Sequence, residues 1–495
     1  MDPTRWPVPG QLLLMLVAGG ATVLAFAPFS LGVVAVLTLA LLFHLWRHAA
    51  GAAGAAWLGF AFGLGLMALG VFWLRISIAQ FGGVTPPLAV LVTVLFSLVM
   101  ASYFALAGWL VRCLRPRSDL LWVLLVMPAV WVLVEWLRGW FLTGFPWLSL
   151  GYSQIDLPLV GFAPLLGVFG VSLVLAVSAA LLSLLPRGAA FVGLAALWSA
   201  GFGLQQVAWT EPVGEPLRVS LLQASIPQAQ KWQPAMRQST LETYVGMTAA
   251  AADSRIVIWP ETAVPAFAHE VEADLLAPLD EMLTEQGRDV VLGIVDGERD
   301  GEYFNAMLSL GVSGRASYHK RHLVPFGEYL PLDALTRPVL DFLKIPMSDF
   351  TPGGDEPPII RLAGQPVGIS ICYEDAYADE VIRALPQATL LINTSNDAWF
   401  GDSLAPHQHL EIARMRAVEA QRFLLRATNT GISAVIDQQG HLQGRSPQFK
   451  PAVLSGEAVP LGGATPFSRW GNTAVVLIAM LMLLPAVFQR SSRSS

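Results

Sequence analysis

The sequence predicts a polytopic α-helical membrane domain of about eight spans plus an extracytoplasmic α/β domain, and three observations carry this. Of 495 residues, 54% are hydrophobic and 13% charged, with mean hydropathy +0.55, against about 25% charged in ordinary soluble domains. Residues 1 to 207 hold only 12 of the 66 charged residues. From about residue 215 the apolar spacing changes to alternating strand and helix patterns.

A membrane helix needs roughly 20 mostly apolar residues. Seven stretches meet that description near 10 to 27, 29 to 46, 55 to 74, 88 to 111, 119 to 137, 158 to 185 and 188 to 207. The turn Pro28-Phe29-Ser30 separates the first two, and Pro128 interrupts the fifth, which ends in Glu135. An eighth run, Thr473 to Phe488, follows Arg469 and precedes Arg490 and Arg493. Cytoplasmic loops collect Lys and Arg. With the N-terminus inside, Arg5, Arg47, Arg112, Arg115, Arg117, Arg187, Arg490 and Arg493 fall on that side, and the outer short loops hold Arg75 and Arg138. Residues 210 to 468 are then outside the cytoplasm. An alternative for residues 1 to 27 is a signal peptide, since Ala25-Phe26-Ala27 imitates a cleavage site; the long apolar region running into Pro28 favours a span.

Between Glu135 and Pro158 the chain is too broken to span and rich in aromatics, Trp136, Trp140, Phe141, Phe145, Trp147 and Tyr152, which predicts an outer-surface position as an aromatic belt or a lipid-access element. An intramembrane Glu135 and Arg138 pair is a functional candidate by default, but both lie near a span end, where snorkelling to the interface is cheap, and they are left out of the chemistry. A net charge of −6 and a pI near 5.8 give no basic stripe, so nucleic acid is excluded as a partner. Two cysteines, Cys113 and Cys372, rule out a disulfide framework.

In the outer domain, strands are predicted at Leu217 to Ala224, Ser254 to Trp259, Asp289 to Val295, Phe304 to Leu310, Pro366 to Cys372, Ala388 to Asn393 and Gly431 to Asp437, with helices near 234 to 251, 271 to 286 and 407 to 424. The domain limits are 1–209 for the membrane part with seven helices, 210–469 for the α/β domain, and 470–495 for the eighth helix and tail.

Three polar residues stand at strand ends, where such folds place chemistry. Glu261 follows Ile258-Trp259-Pro260, Lys320 lies in Ala316-Ser-Tyr-His-Lys-Arg-His, and Cys372 ends Gly368-Ile-Ser-Ile-Cys. An acid, an amine and a thiol suit a thiol acyl-transfer centre. Glu261 can take the thiol proton, and the Lys320 ammonium favours thiolate and can donate to the oxyanion of a tetrahedral intermediate. Singly, each has a plainer reading: Cys372 as a small buried hydrophobe, Glu261 as a helix N-terminal acid, Lys320 as a solvated charge. Cys113, beside Arg112 and Arg115 at a span end, reads as a spectator. His407 and His409, two apart, do not share a helix face, which argues against metal ligation.

Trp259-Pro-Glu-Thr, Tyr318-His-Lys-Arg-His-Leu-Val-Pro-Phe-Gly-Glu328 and Gly368-Ile-Ser-Ile-Cys-Tyr-Glu-Asp375, in this order, resemble the Glu-Lys-Cys segments of the nitrilase (carbon-nitrogen hydrolase) superfamily. Together with the eight spans, they make the chain similar to the bacterial apolipoprotein N-acyltransferases. The resemblance implies an αββα sandwich, with Glu261 as general base, Lys320 as oxyanion stabiliser and Cys372 as nucleophile. It further implies supporting or substrate-binding roles for Glu328, Trp232 in Gln230-Lys-Trp232, Tyr373, Glu374 and Asn305. The implied reaction moves an acyl group from a phospholipid to the N-terminal amine of a diacylglyceryl-cysteine apolipoprotein through a Cys372 thioester. The implied site is the periplasmic face of the bacterial inner membrane, with both termini cytoplasmic.

The residues themselves agree with lipid-anchored substrates. A site held at a membrane surface meets them at high local concentration. An α-amine, with a pKa of about 7.7 to 8.0, is partly neutral at pH 7. Residues 329 to 350 carry Leu330, Leu332, Leu335, Val339, Leu340, Phe342, Leu343, Ile345, Met347 and Phe350, which fits either a mobile lid over acyl chains or a short helix packed on the core. No phosphate-cradling Gly-rich run and no Cys/His cluster appear, so no cofactor and no metal are expected. The nearest alternative is a membrane-tethered amidase or nitrilase in which water attacks the thioester. A transporter with an outer binding module would be expected to show inverted repeats and intramembrane charges.

Overall fold

The computed structural model describes residues 3–298, 301–331, 337 and 349–491. The chain forms two compact units, one of Met1–Arg75, Thr85–Val207 and Trp470–Ser495, the other of Ile76–Val84 and Ala208–Arg469. Residues 76–84, counted with the membrane part in the sequence reading, thus pack with the second unit. There the Ser77 hydroxyl donates to the Trp399 carbonyl at 2.6 Å.

Among the described residues of the first unit, five helical segments are long and apolar enough to cross a membrane: Val8–Ala25, Gly51–Gly70, Pro86–Cys113, Asp119–Arg138 and Pro158–Leu182. Three shorter apolar helices, Val33–His48, Gly188–Leu204 and Thr473–Ala486, stand where the other predicted spans were expected. Small residues let the backbones touch: a Cβ on Gly59 would lie 2.1 Å from the Phe104 carbonyl oxygen, so the helices Gly51–Gly70 and Pro86–Cys113 can approach this closely only with glycine there. Pro128 does not break its helix. A π segment at Trp122–Val126 precedes Met127–Arg138 and widens the turn where the proline ring would meet a carbonyl.

The loop after Arg138 corrects two expectations. Arg138 is buried and does not snorkel. Its guanidinium donates to the carbonyls of Phe145 at 2.6 Å and Trp147 at 2.7 Å, while Glu135 Oε1 accepts from the Leu150 amide at 2.8 Å. Trp147 and Tyr152 are buried in this unit; of the predicted belt, Trp140 and Phe141 are the exposed members. The loop's own carbonyls need donors, and the arginine side chain supplies them.

Among the described residues the second unit has fourteen strands: β1 (Thr210–Pro212), β2 (Leu217–Gln223), β3 (Ile256–Ile258), β4 (Asp289–Gly297), β5 (Tyr303–Gly311), β6 (Ala316–His319), β7 (Ile359–Leu362), β8 (Gln365–Ile371), β9 (Leu390–Ser395), β10 (Leu424–Thr428), β11 (Ala434–Ile436), β12 (Leu442–Arg445), β13 (Ala452–Ala458) and β14 (Leu461–Gly463). Two six-stranded sheets run β13-β2-β3-β4-β5-β6 and β12-β11-β10-β9-β8-β7, and β1 pairs with β14. Each sheet has three parallel strands, β2-β3-β4 and β8-β9-β10, flanked by antiparallel ones. Alternate residues explain the layers. Val219, Ile258, Ile369, Ile371, Ile392 and Leu425 meet between the sheets. The opposite faces bury Val257 and Leu292 against Tyr244 and Leu279 of the helices Pro234–Ala250 and Ala277–Glu285, and Leu391 and Ala434 against Ala413 and Ala417 of the helix Ala405–Ala420. This is an αββα sandwich, and strands buried on both faces read as unbroken apolar runs.

One predicted helix ends early. The reading to residue 424 fails because Gln421 takes a left-handed conformation, φ 44°, closing the helix at Ala420, and Leu424–Thr428 becomes the interior strand β10. The proposed lid at 329 to 350 lies outside the described residues from 332 to 336 and from 338 to 348.

Candidate active site

The parallel strands β3, β8 and β9 and the antiparallel β6 deliver one polar group each just past their C-terminal ends. Glu261 comes three residues after β3. Trp259-Pro260 leaves the strand extended, and Thr262 turns back with φ 46°. The neighbouring strand must carry glycine at 293, because a Cβ there would lie 2.4 Å from the Pro260 carbonyl oxygen and 2.3 Å from the Thr262 nitrogen.

Lys320 follows β6 directly and is buried, its Nζ 2.8 Å from Glu328 Oε2 and 3.5 Å from Glu261 Oε1. The seven residues between Lys320 and Glu328 return on themselves through a tight turn. Gly327 and Glu328 amides donate to the Val324 carbonyl, Phe326 has φ 60°, and Glu328 Oε2 accepts from the Val324 amide at 2.8 Å. Asn305, inside β5, donates through Nδ2 to Glu261 Oε1 at 2.8 Å and to Glu328 Oε1 at 2.9 Å, joining both carboxylates, while its carbonyl accepts from the Lys320 amide.

Cys372 opens a short turn after β8 with φ 52°, a left-handed conformation that a non-glycine residue holds only when its surroundings impose it. Its carbonyl accepts from Asn393 Nδ2 at 3.2 Å and lies 3.3 Å from His409 Nε2, and its sulfur lies 3.4 Å from the Ser395 hydroxyl. Glu374, two residues on and fully buried, accepts from the Ile371 amide, the Tyr318 hydroxyl and the amides of Arg321 and His322 at 2.7 to 3.1 Å. It therefore ties the Lys320 loop to the Cys372 turn. The Asn396 amide after β9 donates to Glu261 Oε2 at 2.9 Å.

Glu261, Lys320, Glu328 and Asn305 are thus in direct contact, and Cys372 lies close enough to interact with the charges of Glu261 and Lys320. Tyr373 belongs to an aromatic group with Tyr377 and His322, its hydroxyl accepting from Tyr377 at 3.2 Å. Trp232 is half exposed. The residue of its segment that reaches the Glu261 turn is its neighbour Lys231, buried, with Nζ 2.6 Å from Thr262 Oγ1 and 3.2 Å from the Glu261 carbonyl.

Electrostatics correct one expectation. Burial raises the Cys372 thiol well above its ordinary pKa, the Glu261 carboxylate raises it further, and Lys320 only partly opposes them, so Cys372 rests as a thiol. Burial alone would depress Lys320, but Glu328 and Glu261 outweigh it and keep the ammonium charged. Lys231 is pushed down to about 8 by burial, against the pull of Glu261.

Behind Cys372 lies a buried ionic cluster that the sequence reading did not assemble. His409 bridges Asp375 at 2.9 Å and Asp397 at 3.0 Å, and Arg426 pairs with the same two carboxylates at 3.2 and 3.1 Å. Burial and Arg426 depress His409, but Asp375 and Asp397 outweigh them and hold it up to about 9, so it is imidazolium at neutral pH. The signal that was available is the three polar residues Ser395-Asn396-Asp397 at a strand end. Among the described residues no group of three or more His, Cys, Asp or Glu side chains is arranged to hold a metal. Cys113 ends a helix of the first unit, half-buried.

Two family profiles match the chain: the apolipoprotein N-acyltransferase N-terminal domain over residues 18–181 and carbon-nitrogen hydrolase over residues 218–462. Among curated proteins the chain is 45% identical to an apolipoprotein N-acyltransferase of Nitrosomonas europaea, covering 96% of each, and 45% identical to one of Methylococcus capsulatus, covering 98% and 97%. It is 42% identical to that of Azotobacter vinelandii over 98% and 96%. Among solved structures, an amidase from Nesterenkonia sp. aligns at 16% identity and TM-score 0.37, covering 54% of this chain and 96% of that one. Saccharomyces cerevisiae Nit3, of the nitrilase superfamily, aligns at 16% and 0.37, covering 51% and 93%.

Proposed function

Because the chain belongs to the apolipoprotein N-acyltransferase family, acyltransferases with a carbon-nitrogen hydrolase domain, we propose that it moves a fatty acyl group from a membrane phospholipid to the N-terminal amine of the S-diacylglyceryl cysteine of apolipoproteins. The observation carrying this reading is the convergence of Glu261, Lys320 and Cys372 from three strand ends in a chain that also has five membrane-length apolar helices.

The proposed course is ping-pong. Cys372 Sγ attacks the ester carbonyl carbon as Glu261 takes the thiol proton. Lys320 donates to the oxygen that becomes negative, a contact worth roughly 2.7 to 4 kcal/mol in comparable sites. The C–O bond then breaks, and Glu261 returns the proton to the departing lysophospholipid alkoxide. In the second half the neutral amine attacks the thioester and gives a proton to Glu261. The C–S bond breaks with its electron pair on sulfur, and that proton returns to the thiolate. The raised thiol pKa supports proton removal in step with attack rather than a stored thiolate. Glu328 and Asn305 hold the Lys320 ammonium and the Glu261 carboxylate in place, Glu374 fixes the two loops, and Trp232 and Tyr373 offer ring faces to the lipid substrates.

For the whole chain we propose residues 1–209 as a membrane domain of seven spans, 210–469 as the catalytic domain at the periplasmic face of the inner membrane, and 470–495 as the eighth span and cytoplasmic tail. The arginine distribution supports both termini being cytoplasmic, and the helices Val33–His48, Gly188–Leu204 and Thr473–Ala486 would be the shorter spans.

Mass spectrometry of the purified protein after incubation with phospholipid tests the reading. An acyl-sized increment, removable by hydroxylamine and absent from Cys372→Ala, is expected. A Cys372→Ala protein that still acylates lipoprotein overturns it, and release of free fatty acid in place of acylated product points to a tethered hydrolase.

A further inference from the structure

The Ser395 hydroxyl has one proton and two acceptors, Asp397 Oδ1 at 2.8 Å and Cys372 Sγ at 3.4 Å. All three groups are buried. Asp397 does not depend on it: the same carboxylate accepts from His409 Nδ1 at 3.0 Å and from Arg426 Nη2 at 3.1 Å. Burial alone would raise the Asp397 pKa, but Arg426 and His409 outweigh burial and hold it well below the ordinary carboxylate range, so it stays an anion with two charged donors. The Ser395 proton is therefore free to leave Asp397 by one bond rotation without orphaning a buried charge.

While the sulfur is a neutral thiol, the carboxylate is much the better acceptor. When the sulfur carries charge, the preference reverses. We propose that Ser395 is a further catalytic residue, a hydroxyl donor that turns from Asp397 to Cys372 Sγ as negative charge develops on the sulfur.

The interaction is weak in the ground state and strong where the barrier lies, the condition under which a contact raises the chemical rate rather than binding. It serves both halves of the reaction. During acylation it stabilises sulfur as Glu261 removes the proton. During aminolysis it receives the sulfur that takes the C–S electron pair. No proton is transferred from Ser395 in either step; the hydroxyl only redirects its hydrogen bond. Its position also separates the Asp397 carboxylate from the sulfur, two groups that repel when both are charged.

The inference rests on Cys372 being the nucleophile, and the test separates the two claims. The groups bearing charge toward the sulfur are Glu261, Lys320 and Asp397, and behind these lie Glu328, Asp375, His409 and Arg426, all of them unchanged in the variants. Full-length wild type, Ser395→Ala, Ser395→Val and Ser395→Thr are alkylated with iodoacetamide across pH, with the Cys372 peptide read apart from Cys113 by mass spectrometry. In Ala and Val the midpoint for Cys372 should rise by about one pH unit, and thioester formation from phospholipid should slow about tenfold. Thr, which keeps the hydroxyl, should stay near wild type in both. Thr and Val differ by one hydroxyl at equal shape, so this pair decides the matter if Ala perturbs the fold. Unshifted midpoints and rates in the hydroxyl-free variants, beside an inactive Cys372→Ala, overturn the role of Ser395 alone. An active Cys372→Ala overturns both claims.

Discussion

Lys231 Nζ donates to the Thr262 hydroxyl at 2.6 Å, gripping a residue that holds a left-handed conformation, φ 46°, immediately after Glu261. The same ammonium also reaches the Glu261 carbonyl at 3.2 Å. It thus fixes the turn that aims the proposed base, and it sets a positive charge beside Glu261, which with Glu328 shares Lys320.

Lys231→Met keeps the length of the chain and removes the grip. Turnover should fall about ten- to a hundredfold through misplacement of Glu261, with KM for phospholipid little changed. Stability has a definite sign. The folded pKa is lowered from 10.5 to about 8, so between those values the unfolded chain binds more protons and the wild type gains stability as pH rises. Thermal unfolding in detergent should show the wild-type midpoint climbing relative to Lys231→Met from pH 8 to 10.5. A constant difference would contradict the buried ammonium.

Asn305 joins two carboxylates with one amide group. In Asn305→Ala both lose a donor and the link between them, leaving Lys320 with the Asn396 and Val324 amides to hold them, and single-turnover thioester formation should slow about tenfold. Asn305→Asp sets a third acid among them and should be slower still, because like charges at hydrogen-bond distance raise one another's pKa and reduce the charge available on Glu261. Equal rates for the two variants would argue against electrostatic coupling at this point.

The His409 cluster gives stability an opposite slope. Its folded pKa stands at about 9, above the ordinary 6.5, so its contribution is complete below 6.5 and is lost as pH rises through 9. Wild type should therefore lose unfolding midpoint relative to His409→Gln across that window. The contact of His409 with the Cys372 carbonyl makes a second readout possible: the variant loosens the anchor of the left-handed Cys372, the proposed nucleophile, and thioester formation should fall even at pH 6, where His409 is charged.

Legibility followed from the physics of each element. The strands β3 and β4 bury apolar residues on both faces and β8 on one, and the polar groups after β3, β6 and β8 stand out against them, so Glu261, Lys320 and Cys372 could be named from the sequence. The edge strand β13, Ala-Val-Leu-Ser-Gly-Glu-Ala, alternates with small and polar residues and offers no such contrast. Gln421 closes its helix without glycine or proline, so apolar spacing alone carried the helix reading on into β10. Lys231 was passed over for the adjacent Trp232 because a buried lysine and a solvated one look alike until the Thr262 turn is seen. His409 was tested only against His407, whereas its partners lie 12 and 34 residues away, beyond the reach of any local spacing rule.

The pairing of β13 with β2, Ala458 opposite Leu217 and Ala452 opposite Gln223, together with β1 against β14, gives the catalytic unit a late closing step. As the chain emerges from the ribosome, β2 is made first among the strands of its sheet and its outer edge receives its partner last, after more than two hundred intervening residues have appeared. Non-local pairing of this kind slows folding, and an uncovered apolar edge invites association with other chains. A nascent or truncated chain stopping before Ala452 would expose the β2 edge, and quality control should recognise that edge as the mark of an unfinished protein.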